Sequence, residues 1–288
     1  MIAASLLLAV VALSGCGRGG GSASSGATTT LERLRRTGVA RVGYANEAPY
    51  AYLDESKRLT GESPEVARVI LSRLGIAETE GVLTEFGSLI PGLKAGRFDL
   101  IAAGMYITPE RCRQVAFSRP TYGIGEAFAV AEGNPLDLHS YADVAASPEA
   151  TLGVVAGTVE RGYARETGVP DDRVVVFPDA PSALEGVASG RVDAFGGTSL
   201  TVGDLLSKRD AGGLERAEPF TDSVIEGRTV RGYGAFVVRP EDGELLGALN
   251  RELEAFLGTP EHLELVEPFG FGEETLPGDV TAEELCRS

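Results

Sequence analysis

Residues 93–104 read LKAGRFDLIAAG, and residues 187–197 read VASGRVDAFGG. In each, the end of a helical pattern meets a glycine, then Arg-x-Asp, then a short apolar run. Glycine accepts the left-handed backbone that stops a helix, and an apolar run bounded by turn residues has the character of a strand. Leu93 to Asp99 and Val187 to Asp193 align residue for residue, a weak internal repeat. Two similar α/β lobes are the expectation. Helix–glycine–strand junctions also look alike in unrelated α/β chains, so that second reading stays open.

Outward from these junctions, short β-branched runs alternate with amphipathic helical ones, as in α/β architecture. VARVGYA (39–45) is a strand. Ser63-Pro64-Glu65 is expected to open a helix, with Ser63 as cap and proline at the first helical position. Val66, Val69, Ile70 and Leu74 keep the 3.6-residue period before the Gly75 stop. A strand ending at Phe86, a helix through Leu93, the strand 98–104 and a helix capped by Thr108 follow. From about residue 140 the scheme recurs: a strand at 151–157, a helix from Thr158, a strand at 173–177 and a helix ending in GVASGR. GEAFAV (125–130) and GYGAFVV (232–238) are expected to pair as crossover strands, the second leading to helices near Leu245–Leu257 and Pro260–Val266. A chain that leaves a lobe and returns makes a two-strand hinge with a cleft between lobes.

Residues 1–16 run from an apolar stretch into Leu13-Ser14-Gly15-Cys16, the pattern at which bacterial lipoprotein signals are cut, so Cys16 is the expected lipidation site. About a dozen apolar residues cannot span a bilayer, which needs roughly 20. An ordinary signal peptide or a buried helix is the alternative. Residues 17–30 are rich in Gly, Ser and Thr and read as a flexible tether. The net charge of −16 argues against a nucleic-acid partner, since phosphate contacts need a Lys/Arg surplus on one face. With three cysteines and two histidines, no metal-ligand spacing appears and no cofactor is expected. His139 and His262 read as surface histidines.

Several polar and aromatic residues stand where strands of an α/β sheet deliver their carboxyl ends to a crevice. Tyr50, Phe86 and Tyr106 follow three strands and make a cage for a delocalised cation if they converge; each taken singly reads as core packing. Glu47 brings a carboxylate to the same end or faces solvent. Arg111, third in its helix, presents a planar fork to a carboxylate or is a solvated arginine beside Arg113. At Gly157-Thr158-Val159, backbone N–H groups and the Thr158 hydroxyl can receive an anion, or Thr158 is a helix cap.

Val42-Gly43 with Ala48-Pro49-Tyr50, the run from Phe86 to Leu93, Phe98-Asp99 to Gly104, and Ile107-Thr108-Pro109-Glu110-Arg111 with Phe117-Ser118 resemble the polar-amino-acid type of ABC-importer solute-binding proteins, family 3. Asn46 to Tyr50, Gly104 to Cys112 and Ala194 to Thr198 are most similar to its ectoine/hydroxyectoine-binding subgroup. The resemblance implies a two-lobed periplasmic-binding-protein-like (type II) fold, with lobe 1 at 31–127 and 234–288 and lobe 2 at 128–233. It implies a monomeric, lipid-anchored extracytoplasmic receptor that hands a small zwitterion to an ABC permease. Glu47, Tyr50, Phe86, Tyr106, Arg111, Thr158, Val159 and Thr198 are then the ligand-binding set. Amino-acid-binding relatives tend to hold the ligand's α-ammonium with an aspartate where Thr198 stands, which favours a cyclic zwitterion. Cys112 and Cys286, both in lobe 1, are expected to form a disulfide, with two free thiols as the alternative.

Competing classes are a receptor for a polar amino acid, an enzyme on the same scaffold (lyase or dehydratase), and a sensing module. General acid–base work needs titratable partners, and the motif positions offer only Glu47 and Arg111.

Overall fold

The computed structural model describes residues 28–208, 213–225 and 228–287, so Cys16, the lipoprotein pattern and most of the expected tether lie outside the described residues. Thr29 and Thr30, assigned to that tether, instead open the helix Thr30–Thr37 through a capping box of Thr29 with Glu32. The Thr-x-x-Glu signature was present in the sequence. The Thr30 hydroxyl also donates to Asp242 at 2.5 Å, tying this helix to the residue that precedes the helix Gly243–Phe256.

Two five-stranded sheets form the two lobes. The first has the order Glu78–Leu83, Val39–Tyr44, Leu100–Ile101, Val237–Val238, Ala116–Phe117. Its first three strands are parallel, and Val237–Val238 is antiparallel to both neighbours. The second has the order Val174–Phe177, Leu152–Val155, Ala194–Thr198, Glu126–Ala131, Leu214–Arg216. Again three strands are parallel, and Glu126–Ala131 is antiparallel to its neighbours. Each lobe is thus built second, first, third, then a strand arriving from the crossover, then fourth. The repeated Gly-Arg-x-Asp junction has the same job in both. Asp99 N–H donates to Arg41 O at 2.9 Å while its carboxylate accepts from Arg41 N–H at 2.9 Å. Asp193 repeats this on Thr151, at 3.0 and 2.8 Å. One acidic side chain therefore registers the third strand against the first in each lobe.

The crossing is made by Tyr122–Ile124 paired antiparallel with Gly232–Gly234. The expected pairing of 125–130 with 232–238 is corrected: Glu126–Ala131 already belongs to the second sheet, and 232–238 breaks into a hinge strand and a strand of the first sheet. Paired β-structure is confined to Leu100–Ile101 within 98–104, and the strand before Phe86 ends at Leu83, with Phe86–Ser88 a 3₁₀ turn. The helix expected to start on Ser63 begins at Glu62 with Gly61 at the cap. Ser63 Oγ instead donates to Glu62 and accepts from Gly104 N–H, satisfying buried groups that a cap would have left bare.

Apolar faces of the helices Glu62–Arg73 and Gly243–Phe256 close over the first sheet, burying Val66, Ile70, Leu245, Leu249 and Leu253. His262 is a correction: it is only 3 % exposed, lies edge-on to Phe256, and accepts from Gly258 N–H. Burial pushes its pKa down to about 4. Cys112 and Cys286 are joined in a disulfide with Cα atoms 5.7 Å apart, pinning the helix Ala282–Arg287 to Pro109–Cys112. No helix among the described residues is long and apolar enough to cross a membrane.

Candidate functional site

Between the lobes lies a cavity lined by Glu47, Tyr50, Phe86, Tyr106, Arg111, Thr158, Val159 and Thr198, together with Ala103, Gly104 and Glu160. All eight residues expected at the ligand come to this one place. Each is delivered by local structure. The turn from Glu47 to Ala51 is closed by two backbone bonds, Glu47 N–H to Ala51 O at 2.8 Å and Ala51 N–H to Glu47 O at 2.9 Å, which set Glu47 and Tyr50 toward the cavity. Tyr106 pairs with Gly234 of the return strand, and its ring occupies the space where a side chain at Gly232 would stand. Tyr50 and Tyr106 are buried and Phe86 is half-buried, so three rings line the first-lobe side.

Arg111 sits third in the helix Pro109–Cys112, whose cap Thr108 accepts from Arg111 N–H. Its guanidinium donates to Tyr106 O at 2.7 Å and, across the cleft, to Gly157 O at 2.9 Å, and it lies over the Phe86 ring at 5.4 Å. Burial presses its pKa down, with the Glu160 charge opposing. Two carbonyls hold the fork by its edges, and further N–H groups are left to receive a carboxylate.

The second lobe adds a residue that sequence reasoning passed over. Glu160 is 4 % exposed and one of its carboxylate oxygens has no partner. In the sequence it is an acid in a helix's first turn, where the helix dipole alone favours one, so nothing marked it out. Glu47 is raised to about 7, first by removal from water and further by the Glu160 charge, while the Thr201 hydroxyl bond pulls it down. Thr158 is not a helix cap: Val159 holds that position, and the Thr158 hydroxyl donates to Val155 O at 2.9 Å. Thr198 is saturated. Its Oγ1 accepts from Tyr50 Oη at 2.7 Å and from Thr201 N–H at 3.1 Å, and donates to Thr201 Oγ1 at 3.1 Å. It meets the cavity as a contact and has no hydrogen bond to spare. The site therefore offers a cationic fork, a carboxylate from each lobe and three aromatic faces. Among the described residues no group of three or more His, Cys, Asp or Glu side chains is placed to hold a metal.

Comparison with known proteins agrees with the two-lobed fold. The chain is 38 % identical over 269 residues to the "Probable amino-acid ABC transporter periplasmic-binding protein y4tE" of Sinorhizobium fredii, covering 92 % of this chain and 88 % of that one. It is 28 % identical over 211 residues to the ABC transporter arginine-binding protein 1 of Escherichia coli, 73 % and 82 % of the two chains. The crystal structure of EhuB in complex with hydroxyectoine superposes with a TM-score of 0.81 at 38 % identity, over 89 % of this chain and 97 % of that one. Residues 40–273 match one family throughout, and the chain belongs to the bacterial extracellular solute-binding proteins, family 3.

Proposed function

We propose that this protein is the receptor of an ABC importer and that it closes its lobes on a cyclic zwitterion with a delocalised cation, ectoine or hydroxyectoine. The observation that carries this is the convergence of Arg111, Glu47 and the rings of Tyr50, Phe86 and Tyr106 on one cavity. Arg111 receives the carboxylate, with the Gly157-Thr158-Val159 turn beside it. The flat amidinium lies against the rings, each contact contributing on the order of 0.5–2 kcal/mol, and its N–H groups reach Glu47. Thr198, a neutral residue already saturated, supplies no countercharge for an α-ammonium. The likeness to hydroxyectoine-bound EhuB supports the same reading. The receptor works as a monomer without catalysis, at the outer face of the membrane through a lipid on Cys16, with Tyr122–Ile124 and Gly232–Gly234 as its hinge.

A second reading, a receptor for a cationic amino acid, is favoured by one observation. Glu160 adds a second buried carboxylate to the cavity, which suits a ligand carrying more positive charge. Calorimetric titration against ectoine, hydroxyectoine, arginine, glutamine and glycine betaine separates the two. Hydroxyectoine or ectoine binding at least tenfold tighter than any amino acid is the expected result; arginine binding tenfold tighter than ectoine replaces it with the second reading, and glutamine doing so refutes both.

A further inference from the structure

A line of hydroxyls crosses the cleft twice. Tyr50 Oη in the first lobe donates to Thr198 Oγ1 in the second at 2.7 Å. Thr198 Oγ1 donates to Thr201 Oγ1 at 3.1 Å, and Thr201 Oγ1 donates back across the cleft to Glu47 Oε1 at 2.8 Å. Each hydroxyl gives its proton to the next group, all pointing the same way, and the line ends on the one group that accepts without donating when ionised. Such chains polarise their members in the same sense. Thr201, third in the helix Ser199–Lys208, is 1 % exposed; its N–H donates to Thr198 Oγ1 and its hydroxyl to Glu47. Thr201 does not line the cavity, whereas Glu47, Tyr50 and Thr198 do.

We propose that Thr201 is a positioning residue of the binding site: it fixes the Glu47 carboxylate for the ligand's cation and makes that orientation conditional on closed lobes. The role of Glu47 toward a cation rests on the function proposed above, but the chain does not. In the open state the bonds Tyr50–Thr198 and Thr201–Glu47 both break, because each joins one lobe to the other. Closing re-forms them together and turns Glu47 Oε1 away from the ligand, leaving Oε2 for it. The titratable groups facing Glu47 are Glu160 from its helix, Glu126 from the second sheet, Tyr122 from the hinge and Tyr50 from its own turn. None of them replaces the Thr201 donor, since the carboxylates repel Glu47 and Tyr50 already donates to Thr198.

The test uses Thr201→Val, which keeps the shape and removes the hydroxyl, and Thr201→Ser, which keeps the hydroxyl. Hydroxyectoine is the calorimetric probe, and the Glu47 carboxyl is followed by carbon NMR titration in protein saturated with it, where the lobes are closed and the Thr201 bond is made. Thr201→Val is expected to weaken hydroxyectoine binding by about 10- to 100-fold, the scale of a lost hydrogen bond to a charged group, and to move the Glu47 titration to higher pH. Thr201→Ser is expected to restore both. Equal binding by wild type and Thr201→Val, or a Glu47 titration that does not move, overturns the proposal. If wild type binds another solute of the panel and not hydroxyectoine, the ligand assignment falls, and the same two measurements with that solute rule for or against the Thr201–Glu47 bond.

Discussion

Gly157 and Gly87 meet where the lobes close, and alanine at the two positions should have opposite consequences. A Cβ on Gly157 would stand 2.6 Å from Gly87 Cα and 3.1 Å from Gly87 N, whereas a Cβ on Gly87 would meet Ala156 O no closer than 3.6 Å. Carbon atoms rest at about 3.5–4.0 Å, so Gly157→Ala forces the lobes apart by about 1 Å at this contact. The Arg111 bond to Gly157 O, 2.9 Å long, then passes out of hydrogen-bonding range. Losing a bond to a charged donor costs about 1.5–3 kcal/mol, or roughly 10- to 150-fold in Kd. Gly157 also has φ +81°, which costs alanine about 1–2 kcal/mol with the lobes open or closed alike. That part lowers the melting point of the ligand-free protein by several degrees and leaves affinity untouched. Calorimetry with the tightest solute of the panel, and melting of ligand-free protein, separate the two parts. Gly157→Ala binding within threefold of wild type, or Gly87→Ala weakening binding as much, would refute the contact argument.

Arg111→Ala should weaken binding by about 2–5 kcal/mol with an unchanged circular dichroism spectrum, and Arg111→Lys should recover little of it because a point charge cannot donate in parallel; calorimetry decides, and unchanged affinity removes Arg111 from the site. Glu47, raised to about 7 without ligand, must be ionised to face a cation, so binding should strengthen as pH rises through 7, weaken toward pH 5, and release protons in between; titration in buffers of different ionisation enthalpy reads this directly. Replacing Cys112 and Cys286 by serine frees the helix that carries Arg111 and opens a 174-residue separation, and should cost about 2–5 kcal/mol in denaturant unfolding. His262, held neutral with a pKa of about 4, contributes stability that is complete above its unfolded value near 6.5 and is lost as pH falls toward 4, at most about 3 kcal/mol. His262→Gln should flatten that part of the stability curve.

Local pattern was enough to read the α/β alternation, the Thr108 cap that sets Arg111, and the Gly-Arg-x-Asp junctions, because glycine stops, caps and periodicity act between residues a few positions apart. Family resemblance added which strand exits share a cavity. Where expectation failed, the missing information was distant. Glu62 and Ser63 spend their N–H groups on Pro49 and Tyr50, and Ser63 Oγ accepts from Gly104, far along the chain, and His262 is polar by type but buried, with its ring against Phe256 of the preceding helix. Strand lengths at 98–104 and 232–238 were cut by ladder partners that only the folded sheet supplies. Sequence by itself determined two α/β lobes, their capped helices and a set of residues placed at strand exits. The tertiary structure alone decided that Thr198 is saturated, that Glu160 faces the cavity, and that Thr201 reaches Glu47 across 154 positions of chain. The reason is physical: a hydroxyl's partner and a carboxylate's burial depend on how two lobes meet, and no residue carries that meeting in its own neighbourhood.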